Sequence, residues 1–266
     1  MSRLLKTEHD KSGGSSPNVA PSKFGACAGR IWMTMVLLLV FSPALPSTVA
    51  ARKKRRPPAG GRVAVVVDER LAALRDAPDV SAGLLQRLSR GRAVALTGAR
   101  NGRGGLTFYR VAVTSRTSGW LQADAVVSPL RAGDDERLLR LARGSEDFDR
   151  LARARIFLDI FPRSTLRPAA LLLYGEAAEE WAVKISREAQ RRLDAREMSA
   201  GGAPTASYYM NYVGLDRFNR IGVKFVFDSA TKQFHYDGEA WREIIRRYPR
   251  SPEASRAKRG DAHETP

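Results

Sequence analysis

The hydrophobic pattern of this chain changes period once, near Pro129, and that change limits what the sequence can fold into. Before it, apolar residues come in short β-branched runs cut by turn residues. Beyond it they recur every three to four positions, the spacing of one helix face. With 266 residues and 43% apolar content, the chain can bury one moderate core or two small ones. The pattern predicts an α+β multidomain chain, a small β-unit followed by a mostly helical one.

In the first part, residues 62 to 67 suit a strand, and residues 71 to 74 form a short extended piece closing at Asp76, Ala77, Pro78 and Asp79. Leu84, Leu85 and Leu88 lead into Arg90 and Gly91. Residues 93 to 96 make another strand, ended by a glycine-rich loop over 98 to 105. That loop lacks the Lys-Ser/Thr ending of a phosphate loop and reads as a hairpin turn. Residues 107 to 113, then Trp120 and Leu121 with residues 125 to 127, complete five short strands. Strands this short and this close predict a small closed barrel over residues 62 to 130.

Four pieces of this region stand in a familiar order: Ala73-Leu74-Arg75 with Pro78, Leu88 with Gly91 and Val94, Phe108-Tyr109-Arg110-Val111, and Gly119-Trp120-Leu121. Over residues 63 to 130 the chain resembles the bacterial SH3-like family, although Phe108 or Tyr109 stands where that family has a tryptophan. The resemblance implies a small β-barrel that binds a cell-wall or protein ligand. Phe108, Tyr109 and Trp120 are the candidate ligand-binding residues, as an aromatic platform with a polar rim. The competing reading places these rings in the barrel core, because so small a unit needs its large side chains for burial.

Beyond Pro129, residues 134 to 143, 147 to 161, 167 to 198 and 237 to 248 carry helical periodicity. Phe161, Pro162, Arg163 and Ser164 are echoed by Tyr248, Pro249, Arg250 and Ser251, and Ala170 and Ala257 each lie six residues past the serine. The echo predicts two like turns, with each serine capping the following helix and each proline ending the preceding one. It resembles the tetratricopeptide-like hairpins of bacterial envelope proteins, and places a helical domain at residues 131 to 260. An aromatic-rich insertion at 201 to 234 interrupts it, with Tyr208, Tyr209, Tyr212, Phe218, Phe225, Phe227 and Phe234 expected to pack against the helices; the alternative is a stacking surface beside Arg217, Arg220 and Lys224. Residues 261 to 266 form a polar tail.

The first 61 residues bear on location. Residues 31 to 41 are apolar except for Thr34, too short a run to span a bilayer. Lys23 and Arg30 precede the run, Pro43 and Pro46 stop it, and Ser47, Thr48, Ala50 and Ala51 follow, the order of a secretory signal within a leader of residues 1 to 51. The expected location is periplasmic or otherwise extracytoplasmic; the alternative is an inner-membrane anchor formed by an uncleaved leader. Arg52, Lys53, Lys54, Arg55 and Arg56 open a flexible tether over residues 52 to 61 and offer an electrostatic contact with a membrane surface. They also resist translocation.

Of the 45 basic residues only nine are lysine, so the net charge of +17 is carried by arginine, the side chain of forked carboxylate and phosphate contacts. The expected partner is a cell-wall component or an envelope protein, with nucleic acid not expected. The alternative function is polyanion binding of low specificity. Cys27 lies in the leader, and His9, His235 and His263 are far apart in sequence, so no metal site, cofactor or catalytic set is expected and the function is read as non-enzymatic. Neighbouring carboxylates such as Asp134 with Asp135 and Glu179 with Glu180 are expected on solvated faces.

Overall fold

The computed structural model describes residues 62–262, so the leader, the tether, Cys27, His9 and His263 lie outside the described residues. The first layer has seven strands: β1 (Arg62–Val66), β2 (Ala73–Arg75), β3 (Leu84–Arg87), β4 (Ala93–Asn101), β5 (Thr107–Ala112), β6 (Ser118–Gln122) and β7 (Val126–Val127). They form one antiparallel sheet in the order β3-β2-β6-β5-β4-β1-β7.

The sheet does not close, which corrects the expected barrel. β3 and β7 stand at opposite edges, and β7 has only two residues before the chain turns into helix. The five expected strands prove to be seven, because a 3-10 turn at Ala123–Ala125 separates β6 from β7, and residues 84 to 87 pair as a strand of their own.

The apolar run at residues 63 to 67 reflects burial on both sides of β1. Ala64 and Val66 join a core within the curved sheet with Leu74, Val94, Val111 and Leu121. Their neighbours Val65 and Val67, with Val127, belong to the helical core. Period-2 alternation thus divides one strand between two cores.

The helices that cover this side are α1 (Asp134–Arg143), α2 (Asp147–Ile160), α3 (Arg167–Arg192), α7 (Glu239–Arg247) and α8 (Ala254–Ala262), each packed on the next. Asp134, expected on a solvated face, is buried: its carboxylate accepts the Ser128 amide at 2.8 Å and pairs with Arg137 at 3.2 Å. Ser128 in turn donates its hydroxyl to the Val63 carbonyl at 2.8 Å, joining β1 to the start of α1. Gly175 lets α7 approach α3, since a Cβ there would lie 2.3 Å from the Trp241 indole nitrogen.

Three short helices, α4 (Ala195–Gly201), α5 (Thr205–Met210) and α6 (Asp216–Ile221), and the hairpin β8 (Phe225–Asp228) with β9 (Gln233–Tyr236) lie between α3 and α7. The single helix expected to reach residue 198 breaks at Leu193, where Asp194 caps α4 by accepting the Arg196 amide at 2.7 Å. Tyr209, Tyr212, Phe218, Phe225 and Phe234 of this segment are buried against the helices, with Phe218 edge-on to both Phe148 and Phe225.

The two echoed turns share one backbone. Phe161 and Tyr248 end their helices with similar angles (φ −116°, ψ 58° and φ −130°, ψ 47°), and each donates its amide four residues back. Ser164 and Ser251 bond back to Phe161 and Tyr248 at 3.2 and 3.0 Å, and Ala170 and Ala257 are fully buried. The caps depart from expectation: the helices begin three residues past each serine. The Ser164 hydroxyl accepts the Leu166 amide at 3.1 Å and donates to Asp135 at 2.7 Å, whereas the Ser251 hydroxyl is buried without a partner. Phe161 is buried with its ring tilted against Phe157, while Tyr248 is half-buried. Phe161→Ala should therefore cost about 3–5 kcal/mol through the cavity left behind, and Tyr248→Ala clearly less, as measured by urea denaturation.

Candidate ligand-binding surfaces

Directly paired residues of an antiparallel sheet share a face, so the register sorts the three aromatic candidates. Trp120 is opposite Arg110 in β5 and Arg75 in β2, and Phe108 lies on the same side as Arg110. Tyr109 is opposite Leu121 on the other side and packs at the edge of the sheet's own core. The three rings therefore do not form one platform.

Phe108 is 1% exposed although it points away from that core, because the β4–β5 loop folds over it. Gly102 fixes this contact: a Cβ there would sit 2.8 Å from the Phe108 ring and 2.4 Å from the Pro78 carbonyl oxygen. The glycine-rich loop is thus a cover for a core ring. Trp120 stays half-exposed, with the Arg100 guanidinium carbon 5.6 Å from its ring centre. Of the three candidates, only Trp120 can present a ring to a ligand on this face.

Around Trp120 the outer face is basic. Leu84, Arg75, Trp120, Arg110 and Gly98 succeed one another across β3, β2, β6, β5 and β4. At the usual strand separation this row is about 19 Å wide. The strands β2 to β6 hold Arg75, Arg87, Arg100 and Arg110 and no aspartate or glutamate. Among the described residues, Arg100 and Arg110 make no ion pair, while Arg75 donates to the Ala82 carbonyl at 2.6 Å. Nothing in the local pattern groups these arginines on one face. The signal that marks them is the run of strands lacking acidic residues.

Comparison with protein-family models, curated proteins and solved structures finds no significant match for this chain. Its chemistry has to be read from its own side chains.

A second region is a cleft of about 1430 Å³ between β1, the start of β4, α2 and α6. Val63, Val65, Phe148, Ile156 and Ile160 supply apolar wall, and the charge is mixed, with Arg90, Arg92, Arg155 and Arg220 beside Glu69, Asp159 and Asp216. A smaller polar cavity of about 220 Å³ adjoins it, sharing Arg155, Asp159 and Gly222. Two buried tyrosines line the smaller one: burial pushes the Tyr174 phenol up to about 12, and burial likewise raises that of Tyr236. Both stay neutral at any physiological pH, and the Tyr236 hydroxyl accepts the Ala240 amide at 2.9 Å.

His235 faces Glu179 across 3.2 Å, and the second Glu179 oxygen accepts the Tyr236 amide at 2.8 Å. Glu179 therefore anchors β9 to α3 instead of standing on a solvated face. Among the described residues, no group of three or more His, Cys, Asp or Glu could hold a metal ion. Phe108→Ala should cost about 3–5 kcal/mol, as for a buried ring. Trp120→Ala should cost clearly less, and urea denaturation of the two variants checks the order.

Proposed function

We propose that this chain is a non-enzymatic, extracytoplasmic binding protein whose outer sheet face holds an anionic glycan of the bacterial cell wall. The observation that carries the proposal is the row of Arg75, Trp120 and Arg110 on strands that hold no carboxylate. A half-exposed indole offers a flat apolar face to a sugar ring, and flanking guanidinium groups take carboxylates in forked contacts. The resemblance of residues 63 to 130 to the SH3-like family points the same way, although the sheet is open. The tetratricopeptide-like hairpins form the scaffold that backs this sheet and provide a surface for a protein partner. The apolar run at residues 31 to 41 with its small-residue flank supports export.

A plain polyanion binder would share the arginines but not the need for the ring. Purified peptidoglycan sacculi should co-sediment the protein, and Trp120→Ala and Arg110→Glu should each release it. Arg110→Glu should act most strongly at low ionic strength, where exposed charges are least screened. Trp120→Ala should weaken binding at low and at physiological salt alike. Binding that vanishes at physiological salt and ignores Trp120→Ala would instead establish unspecific polyanion binding.

A further inference from the structure

We infer that the cleft along α2 is a binding site for a single-chain amphipathic anion, a long acyl chain ending in a carboxylate. Phe148, Ala152, Ile156 and Ile160 recur every four residues and all line the cleft, so they form one stripe down α2. Twelve residues of helix make that stripe about 18 Å long. Val63 faces it from β1 and is 40% exposed, an apolar side chain left open in a wall that is otherwise well packed.

Such a trough suits a flexible hydrocarbon better than a peptide strand. β1 pairs with β4 along its length and with β7 at Val65 and Val66, and the Val63 carbonyl accepts the Ser128 hydroxyl, which leaves little edge for an added strand.

The charged end is assigned to the junction with the smaller cavity. Arg155 lines both spaces, and its Nε is buried without a hydrogen-bond partner. A buried donor left unpaired is costly, and an anion seated there would satisfy it. The only ion pair of Arg155 among the described residues is to Asp159 at 3.4 Å, one helical turn away and partly exposed. Pairs of that kind are weak, so an incoming carboxylate can compete. Lys224 lies across the smaller cavity without an ion pair among the described residues. Asp237, Glu239 and Glu243 also line this cavity, and of these Glu243 is already held by Arg167 at 2.9 Å. The volume at this end is ample for a carboxylate.

The test uses hexadecanoate and its uncharged counterpart hexadecanol, titrated into the full chain by calorimetry below their aggregation limits. Hexadecanoate should bind saturably at one site. Arg155→Gln should weaken hexadecanoate about tenfold, the worth of one charge-assisted hydrogen bond, and leave hexadecanol unchanged. Val63→Glu, at a position open enough to accept a charge without unfolding, should abolish both. Trp120→Ala should alter neither, which separates this site from the glycan surface. Absence of saturable hexadecanoate binding, or binding that survives Val63→Glu, would overturn the assignment, and so would equal loss of acid and alcohol in a folded Arg155→Gln.

Discussion

Arg153 is the side chain on which the union of sheet and helices depends. It rises from the middle of α2, is 4% exposed, and donates Nε to the Val67 carbonyl at 3.1 Å just past the end of β1. A terminal nitrogen reaches the Ser145 hydroxyl at 2.5 Å, and Asp149 one turn earlier supplies the counter-charge at 3.5 Å. Burial lowers the pKa of this guanidinium, a cost of desolvation that is offset only if its donors are engaged. The same Asp149 also binds Arg90 at 2.7 Å from the turn before β4. One short stretch of α2 therefore fastens two places on the sheet.

Both candidate surfaces follow from this fastening. Because α1 packs on β7 and Arg153 of α2 reaches Val67 past the end of β1, the side of the sheet carrying Val65 and Val67 is consumed by the helical core, and the strands farthest from it keep their outer face. Arg75, Arg100, Arg110 and Trp120 stand there. Between α2 and the outer side of β1 lies the cleft, with α6 as its third wall. Arg217 of α6 stacks over Phe148, Trp181 and Phe218 at 5.6, 4.4 and 4.7 Å, which ties that wall to α2 and α3. Cation–π contacts of this number hold a short helix that has little propensity to form alone.

What periodicity encodes was legible in the sequence. The first two helices stand within one residue of expectation, and the echo at Phe161 and Tyr248 specified the same turn twice. Long-range pairing was not legible. Nothing local distinguishes strands that close a barrel from strands that stop at a two-residue edge, because closure depends on whether β3 meets β7. Nor does alternation in β5 reveal that a distant Gly102 covers Phe108 while Trp120 stays open. Asp134 and Glu179 were misjudged for a related reason: adjacent carboxylates look alike in sequence, and only the fold brings the Ser128 or Tyr236 amide to one of each pair. The break after Arg192 was signalled by Asp194, a favourable cap inside an otherwise helical pattern.

Urea unfolding of Arg153→Ala, followed by helical circular dichroism and by the NMR signals of β4 and β5 amides, tests most directly whether sheet and helices form one body. A shared core held by this side chain predicts a loss of about 3–5 kcal/mol, because the Val67 carbonyl and Ser145 hydroxyl lose a partner in a buried cavity. It also predicts that both probes change together, in the variant as in the wild type. A loss under about 1 kcal/mol, or a sheet that persists after the helices have melted, would contradict it.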